Sequence, residues 1–170
     1  MEFTDGVVRF RAVEVHDIET LRQWINDPET AQYLSISWPV SSSQQQEHFE
    51  RTRKDEGRKK LAIELHDGTL IGLLSLKNFD FVNRSVEVGI TIGVAEYRGK
   101  GLASRSLRLT LKVLFDHFNY HRVWAQIVET NEASLNLFKH AGFEQEGILR
   151  ESVCANGQMV GTVIMAKLRK

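Results

Sequence analysis

Two periods of apolar residues run along this chain of 170 residues, and the shorter one predicts its strands. Alternation of apolar and polar residues at every second position is typical of a strand that buries one face. The pairs Asp67–Gly68 and Asn156–Gly157 favour tight turns, and each therefore predicts a hairpin between two strands. The predicted strands are Val7–Arg11, Leu61–Leu65, Leu70–Leu76, Val86–Ile92, Arg122–Val128 and the two that flank Ala155–Asn156–Gly157.

The longer period, in which apolar residues recur three or four positions apart, predicts four helices. Asp17, the serines Ser41–Ser43 and Asn131 are capping residues that mark helix starts, and Gly142 marks a helix end. The first two helices run from Asp17 to about Asn26–Pro28, with Ile18, Leu21, Trp24 and Ile25 on one face, and from Ser41–Ser43 to about Glu56. The last two follow Gly101, with Leu107, Leu111, Leu114 and Phe118 on one face, and run from Asn131 to Ala141–Gly142.

The elements follow the order β-α-α-β-β-β-α-β-α-β-β, which predicts a mixed α/β sheet covered by helices. The stretch from Glu29 to Ser43, which includes Tyr33, Ile36 and Trp38, has neither period and is predicted to be irregular. Because no repeat, low-complexity tract or proline-rich linker interrupts the pattern, we expect a single domain over residues 1–170.

The charge balance narrows the classes of partner. The 22 Lys and Arg residues equal the 22 Asp and Glu residues, so the formal net charge is zero. A general binder of nucleic acid or anionic membrane carries a basic excess, so we expect neither partner, although a local basic pocket for one phosphorylated ligand stays open. Cys154, the single cysteine, excludes an internal disulfide, and we expect it to lie buried or half-buried in a strand. With no secretory segment and no membrane-spanning run, we expect a cytoplasmic protein.

Candidate phosphate chemistry lies between a predicted strand and the third helix, in Glu96–Ser104. Gly99 and Gly101 let the backbone approach a ligand, and the helix start behind them offers N–H groups and a partial positive charge. Arg98 and Lys100 add two cations at the same point. A glycine-rich turn with solvated cations has the same composition, and the loop has the spacing of neither a Walker motif nor the dinucleotide fingerprint. The loop alone therefore leaves both interpretations open.

Two stretches in register resemble one family. Arg98–Ala103 matches the Arg/Gln-x-x-Gly-x-Gly/Ala motif of the GNAT superfamily of N-acetyltransferases, and Asn131–Phe143 is similar to its Asn-x-x-Ser-x-x-Leu-Tyr-x-x-x-Gly-Phe segment. The resemblance is closest over Val86–Gly157, where Gly147–Glu151 looks like the branch of spermidine acetyltransferases and ribosomal-protein N-terminal acetyltransferases. It implies a mixed, mostly antiparallel central sheet flanked by about four helices. It also implies acetyl transfer from acetyl-CoA to a primary amine.

The resemblance further implies which residues bind acetyl-CoA. The end of a strand would hydrogen-bond the pantetheine arm, the amides of the glycine-rich loop would hold the pyrophosphate, and the helix after Asn131 would contact the cofactor from the other side. The implied residues are Ile92, Val94, Arg98, Gly99, Lys100, Gly101, Leu102, Ala103, Ser104, Asn131, Ser134 and Phe138. No metal is implied, and the spacing of the six histidines is not that of metal ligands.

Acetyl transfer needs a neutral amine, a donor for the developing oxyanion and, for the departing thiolate, an acid. Many relatives have a tyrosine as the acid where this chain has Phe138, which cannot donate a proton. Either the thiolate leaves unassisted, or another group is the acid, such as Ser134 on the same helical face. The other candidate acids are Tyr33, Tyr97 and Tyr120.

Glu87 is the candidate base. The alternative interpretation of Glu87 is a solvated carboxylate at a strand edge. A backbone N–H in Ile90–Ile92 would bind the oxyanion.

The acceptor is expected to lie near the first two helices, as is general in this fold. Glu14–Glu29 contains five acids and one base, Arg22, which would suit a cationic amine, although a solvated helix surface has the same composition. We therefore expect a small amine such as a polyamine, or a protein N-terminus, and leave a homodimer open. Phe138 motivates a second hypothesis, a non-catalytic acyl-CoA-binding or regulatory module. The glycine-rich loop motivates a third, a nucleotide site.

Overall fold

A central sheet of eight strands organises the computed structural model of this chain, which describes residues 3–34, 38–155 and 157–170. The strands are β1 Phe3–Thr4, β2 Val8–Ala12, β3 Arg58–Leu65, β4 Leu70–Asp80, β5 Ser85–Ile92, β6 Arg122–Val128, β7 Glu144–Ala155 and β8 Gln158–Leu168. Their order across the sheet is β1-β2-β3-β4-β5-β6-β8-β7. The β5–β6 pair is parallel and the other neighbouring pairs are antiparallel, so the predicted mixed, mostly antiparallel sheet is confirmed.

Helices cover both faces of this sheet. They are α1 Ile18–Asn26, α2 Pro28–Ala31, α3 Ser42–Lys54, α4 Leu102–Lys112 and α5 Glu132–His140. A π-helical turn, Val113–His117, continues α4. In the part of the chain that the structure describes, no helix has the length and apolar character needed to cross a membrane.

Local capping explains where two of the predicted helices begin. The Ser41 hydroxyl accepts a hydrogen bond from the Gln44 N–H at 3.2 Å, and the Gln44 side chain accepts one from the Ser41 N–H at 2.9 Å. This reciprocal capping box fixes the start of α3. In the same way, the Asn131 side chain accepts from the Ser134 N–H at 3.1 Å and fixes the start of α5. The order of the predicted elements is confirmed.

The elements that the sequence did not predict are short. Strand β1 has two residues and pairs with β2, while α2 is a single turn that begins at Pro28. Segments of this length cannot show a period. Ile36 of the predicted irregular stretch and Asn156 of the predicted last hairpin lie outside the described residues.

Phe118 and Cys154 are exposed, contrary to what their patterns predict. Phe118 has the helical spacing of Leu114, but the π-helical turn between them shifts that spacing, so Phe118 is 50% exposed whereas Leu114 is 2% exposed. Cys154 lies in a strand as predicted, but that strand is β7 at the edge of the sheet, and the thiol is exposed. The prediction of a buried or half-buried cysteine is therefore wrong.

The two faces of the sheet differ in chemistry. On the apolar face, side chains such as Phe10, Leu74 and Val88 pack against α4 and α5 in one core. On the opposite face, which we call the polar face, the alternating positions include Glu64 and Glu87, which are 4% and 2% exposed. Helices α1 and α3 cover the polar face. The same strands therefore carry buried carboxylates on one face and the hydrophobic core on the other.

Candidate active site

The parallel strands β5 and β6 separate partway along their length. Their pairing consists of Ser85 with Arg122, Val86 with Val123 and Glu87 with Trp124. Beyond that point β5 stays paired with β4 as far as Ile92, and β6 with β8 as far as Val128. We call this gap between residues 88–92 and residues 125–128 the strand opening. An extended ligand can hydrogen-bond to such an edge as a further strand does.

A helix begins at the mouth of the strand opening, in residues 98–104, which we call the glycine loop. Gly99 and Gly101 have φ angles of 71° and 75°, in the left-handed region that favours glycine. The Arg105 N–H donates to the Gly101 carbonyl at 3.0 Å, and the N–H groups of Leu102–Ser104 precede this first helical bond. A Cβ at either glycine would meet nothing within 4 Å. The loop thus offers open N–H donors and a positive helix end to an anion, and it fits the phosphates of acetyl-CoA.

Arg98 is turned away from the helix start. Its guanidinium donates to the carbonyls of Ile92 and Gly93, both at 3.1 Å. It also donates to the Thr30 hydroxyl at 2.7 Å and to the Glu29 carboxylate at 2.9 Å. Arg98 therefore joins the end of β5 to α2. Because its guanidinium is engaged in these contacts, only its backbone is placed to contribute to an anion site at the loop. Lys100 is the exposed cation of the loop.

Helix α5 places the other candidate cofactor contacts on one side. Asn131 caps the helix, Ser134 follows in its first turn and is half-buried, and Phe138 lies one turn further on. The Phe138 ring is 2% exposed and makes an edge contact with Phe143, their centroids being 4.9 Å apart. Phe138 is thus part of the core, and Ser134 is the nearer polar group on that helical face.

The three tyrosines considered as acids lie in different places. Tyr120 precedes β6, whereas the glycine loop follows the far end of the parallel strand β5. The seven residues of β6 therefore separate Tyr120 from the mouth of the opening, by roughly 20 Å. Burial raises the pKa of the Tyr120 phenol, and its ring centroid lies 6.3 Å from that of Phe79. Tyr33 is 38% exposed beyond α2, and Tyr97 lies beside the loop with the Lys100 ammonium 5.5 Å from its ring centroid.

Glu87 is buried on the polar face where the strand opening begins. The Lys77 ammonium lies 2.9 Å from its Oε1, and the Asn78 amide donates to its Oε2 at 2.7 Å. Lys77 is directly opposite Glu87 in the β4–β5 register. Asn78 reaches the carboxylate from a bulge, where its own φ is 52°. The alternative prediction of a solvated strand-edge carboxylate is therefore wrong.

Sequence reasoning missed Lys77, Asn78 and the contact that Trp24 makes. A Cβ on Gly93 would lie 1.9 Å from the Trp24 ring, so Gly93 is the residue that lets α1 rest on the end of β5. A glycine that ends an alternating strand is a signal of such close approach. No local pattern reveals Lys77 or Asn78, because their contact with Glu87 depends on the register between two strands.

The acids of Glu14–Glu29 are mostly engaged within the chain. Four of the five have a partner, which is an arginine side chain for three of them and a backbone N–H for the fourth. Asp17 pairs with Arg11 at 2.6 Å, Glu19 with Arg22 at 2.5 Å, Glu29 with Arg98 at 2.9 Å, and Asp27 accepts from the Thr30 N–H at 3.0 Å. These four acids therefore present little uncompensated charge to a substrate.

A family model described as an acetyltransferase (GNAT) domain matches residues 8–144. The chain belongs to the GNAT acetyltransferase family. The matched residues run from β2 to the start of β7 and include both the strand opening and the glycine loop.

Several relatives within this GNAT family are spermidine acetyltransferases by name. The spermidine N(1)-acetyltransferase of Escherichia coli is 26% identical over 158 residues, which cover 93% of this chain and 84% of that protein. The enzyme of the same name from Vibrio cholerae is 26% identical over 148 residues, covering 87% and 85%. A solved spermidine N-acetyltransferase from Vibrio cholerae, in complex with CoA and spermine, matches with a TM-score of 0.89 and 25% identity over 96% of both chains.

These likenesses establish the reaction of this GNAT protein. It transfers an acetyl group from acetyl-CoA to a primary amine, as the resemblance of its two motifs predicts. The hypotheses of a nucleotide site and of a non-catalytic module are therefore set aside. Across residues 3–34, 38–155 and 157–170, no group of three or more His, Cys, Asp and Glu side chains is arranged to hold a metal ion.

Proposed function

We propose that acetyl-CoA lies along the strand opening with its phosphates on the glycine loop, and that the acceptor is a small polyamine. The observation that carries this proposal is the separation of β5 from β6 at the point where a helix start offers open N–H groups. The single eight-stranded sheet supports one N-acetyltransferase domain over residues 1–170.

In this proposal the N–H groups from Gly99 to Ser104 hold the pyrophosphate, and Lys100 adds a charge. The β5 edge before Ile92 carries the pantetheine arm, because the Ile92 carbonyl already accepts from Arg98. Val94 extends this edge beyond the strand. Asn131, Ser134 and Phe138 contact the cofactor from α5. The residues assigned to acetyl-CoA are Ile92, Val94, Arg98, Gly99, Lys100, Gly101, Leu102, Ala103, Ser104, Asn131, Ser134 and Phe138.

We assign Glu87 as the base. It takes a proton from the acceptor amine, directly or through water, and the neutral nitrogen then forms its bond to the acetyl carbon as the carbon–sulfur bond breaks. Lys77 and Asn78 are positioning residues that fix the carboxylate. A backbone N–H in Ile90–Ile92 stabilises the negative charge that develops on the acetyl oxygen. Ser134 gives a proton to the departing sulfur in place of the tyrosine found in many relatives.

The polyamine rests on the likeness to spermidine N-acetyltransferases over nearly the whole chain. An assay of thiol release from acetyl-CoA with spermidine, an aminosugar and peptides with free N-termini tests it. We expect the highest kcat/KM with spermidine. A peptide that exceeds spermidine in kcat/KM would replace the polyamine by a protein N-terminus and leave the acetyl-transfer site unchanged.

We also propose a homodimer that uses the edge strand β7. This strand exposes Ile148 and Leu149, each 49% accessible, on twelve residues at the end of the sheet. Most of this strand is polar, but exposed apolar residues on an edge strand are a site for pairing with another chain. Light scattering coupled to gel filtration should give twice the mass of one chain, 19.5 kDa, and the double substitution of Ile148 and Leu149 by Lys should give a monomer.

A further inference from the structure

A second pocket lies on the polar face, away from the strand opening, between α1, α3 and the start of β3. Its volume is about 210 Å³. The floor is apolar and the rim is basic, and the two sets come from different elements. The floor residues are Ala12, Val13, Ile18, Leu21, Phe49 and Leu61, and the basic rim is His48, Arg53, Arg58, Lys59 and Lys60.

Lys60 is the central cation of this pocket and has no anionic partner in the described parts of the chain. The contact that its ammonium makes is with the His48 ring, whose Nε2 lies 2.7 Å from Nζ. No carboxylate of the described residues lies within 4.0 Å of Nζ. Lys60 lies opposite Ser75 of the neighbouring strand β4, and Lys77 follows two residues later on the same face. In contrast to Lys60, the Lys77 ammonium lies 2.9 Å from the Glu87 carboxylate. Burial, and then the charge of Arg58, lower the pKa of Lys60 below its ordinary value.

His48 does not compensate this charge. Its Nδ1 lies 3.3 Å from the Arg51 guanidinium, while its Nε2 faces Lys60. A neutral imidazole accepts a hydrogen bond at one ring nitrogen only, so it cannot accept from both cations at once. Burial lowers the pKa of His48, and Lys60, Arg51 and Arg58 lower it further. Two rim cations have carboxylate partners, Arg53 with Glu50 at 2.9 Å and Arg58 with Asp55 at 3.5 Å, whereas no carboxylate of the described residues pairs with Lys60.

We propose that this pocket binds a small organic carboxylate with an apolar body. The carboxylate accepts hydrogen bonds from the Lys60 ammonium and from the Nε2–H of a neutral His48, whose Nδ1 accepts from Arg51. The apolar body covers Phe49, Leu21 and Ile18. A bare phosphate would leave that floor exposed to water, and an uncharged ligand would leave Lys60 without a counter-charge. The small volume limits the ligand to about the size of one ring with a short chain.

This site is independent of the acetyl-transfer site. Lys60 lies on β3, two strands from the opening in β5, so a ligand here does not occupy the acetyl-CoA path. The pocket also lies between α1 and α3, the helices that cover the polar face near the proposed acceptor. A bound carboxylate can therefore bias the position of these helices without touching the reacting atoms.

Titration calorimetry and chemical-shift mapping with 3-phenylpropionate test the proposal, with 3-phenylpropionamide and inorganic phosphate as matched probes. We expect the carboxylate to bind, with shifts at His48 and Lys60, and the amide and phosphate to bind at least tenfold more weakly, about the value of one charge-assisted contact. Lys60→Met should weaken carboxylate binding roughly tenfold, while Lys54→Met, at an exposed cation outside the pocket, should not change it.

Three results would overturn it: no binding of the carboxylate to the wild-type chain, equal binding of the amide, or equal binding of phosphate. Because Lys60 removal relieves an unpaired buried charge, Lys60→Met is expected to fold at least as stably as the wild type. Its acetyl-CoA KM should stay unchanged, so a failure here is distinguishable from a failure of the acetyl-transfer assignment.

Discussion

The guanidinium of Arg98 donates to the carboxylate of Glu29 at 2.9 Å, so the glycine loop and the acidic segment are held together. This contact removes a cation that the sequence assigns to phosphate binding and an acid that it assigns to substrate attraction. The same guanidinium donates to the carbonyls of Ile92 and Gly93 at the end of β5. Arg98 therefore has a structural role beside the active site, where it connects the end of β5 to α2.

Replacement of Arg98 should lower the free energy of unfolding more than replacement of Glu29 does. The Glu29 side chain is 73% exposed, and exposed ion pairs contribute at most about 1 kcal/mol, so Glu29→Gln should change the free energy of unfolding by less than that. Arg98→Met leaves two strand-end carbonyls and the Thr30 hydroxyl without their donor, which should cost about 2 kcal/mol. Urea denaturation measures both. Equal losses in the two variants would show that the ion pair, and not the strand-end contact, dominates.

Gly101→Val should raise the KM for acetyl-CoA sharply. Its φ of 75° is strained for a branched residue, and a side chain would cover the N–H groups of the loop, where a Cβ now meets nothing within 4 Å. Gly6→Val is the matched control, since Gly6 has a φ of 87°, equally open surroundings and a place outside the loop. Both variants should lose about 1–2 kcal/mol of stability. A KM that stays unchanged in Gly101→Val, or rises equally in Gly6→Val, would refute the loop assignment.

The sequence predicts those features that depend on neighbours along the chain. Ser41 and Gln44 form their capping box within one turn, and the Asn131 cap and the Gly142 end of α5, where φ is 84°, are likewise local. The two family motifs are also local. The first connects β5 to α4, and the second follows β6 and forms α5. The fold and the glycine loop were therefore predictable.

Contacts between distant elements were not predictable. Arg98 meets Glu29 across 69 positions of sequence, and the partners of Glu87 depend on the β4–β5 register and on a bulge. The exposure of Phe118 follows from a π-helical turn, which residue spacing does not show. In each case the side chain itself was visible in the sequence, but the partner that decides its role was not.

Ser134→Ala and Phe138→Tyr test how the thiolate leaves. If Ser134 is the acid, its removal should lower kcat about tenfold with little change in KM, and Phe138→Tyr should preserve or raise kcat by placing a phenol on the same helical face. Asn136→Ala, at an exposed position of α5, is the control and should leave kcat unchanged. A large loss in Phe138→Tyr would show instead that the site requires the apolar contact between Phe138 and Phe143.

Asp17 should contribute to the loss of stability in acid. Burial opposes its ionisation, but the Arg11 guanidinium and the Glu14 N–H outweigh burial, so the pKa of Asp17 lies below its usual value of 3.8. A carboxyl whose pKa is lower in the folded state stabilises the fold above the unfolded pKa, and this stability is lost as the pH falls through the folded pKa. Asp17→Asn should therefore lower the free energy of unfolding by roughly 1–3 kcal/mol at pH 7 and reduce its slope with pH below pH 4. Urea denaturation from pH 2 to 7 measures this, and an unchanged slope would contradict it.

The pH dependence of kcat/KM for acetyl transfer to spermidine, in the wild type and in Glu87→Gln, tests the central claim most directly. Glu64→Gln is the control, because Glu64 is also buried on the polar face, at 4% exposure. It lies on β3, two strands from β5, and pairs with Arg9 and Arg11 of β2. If Glu87 is the base at the strand opening, Glu87→Gln should lower kcat/KM about 10²-fold across the profile, while Glu64→Gln keeps the wild-type profile. A Glu87→Gln profile that matches the wild type in shape and height would contradict the account.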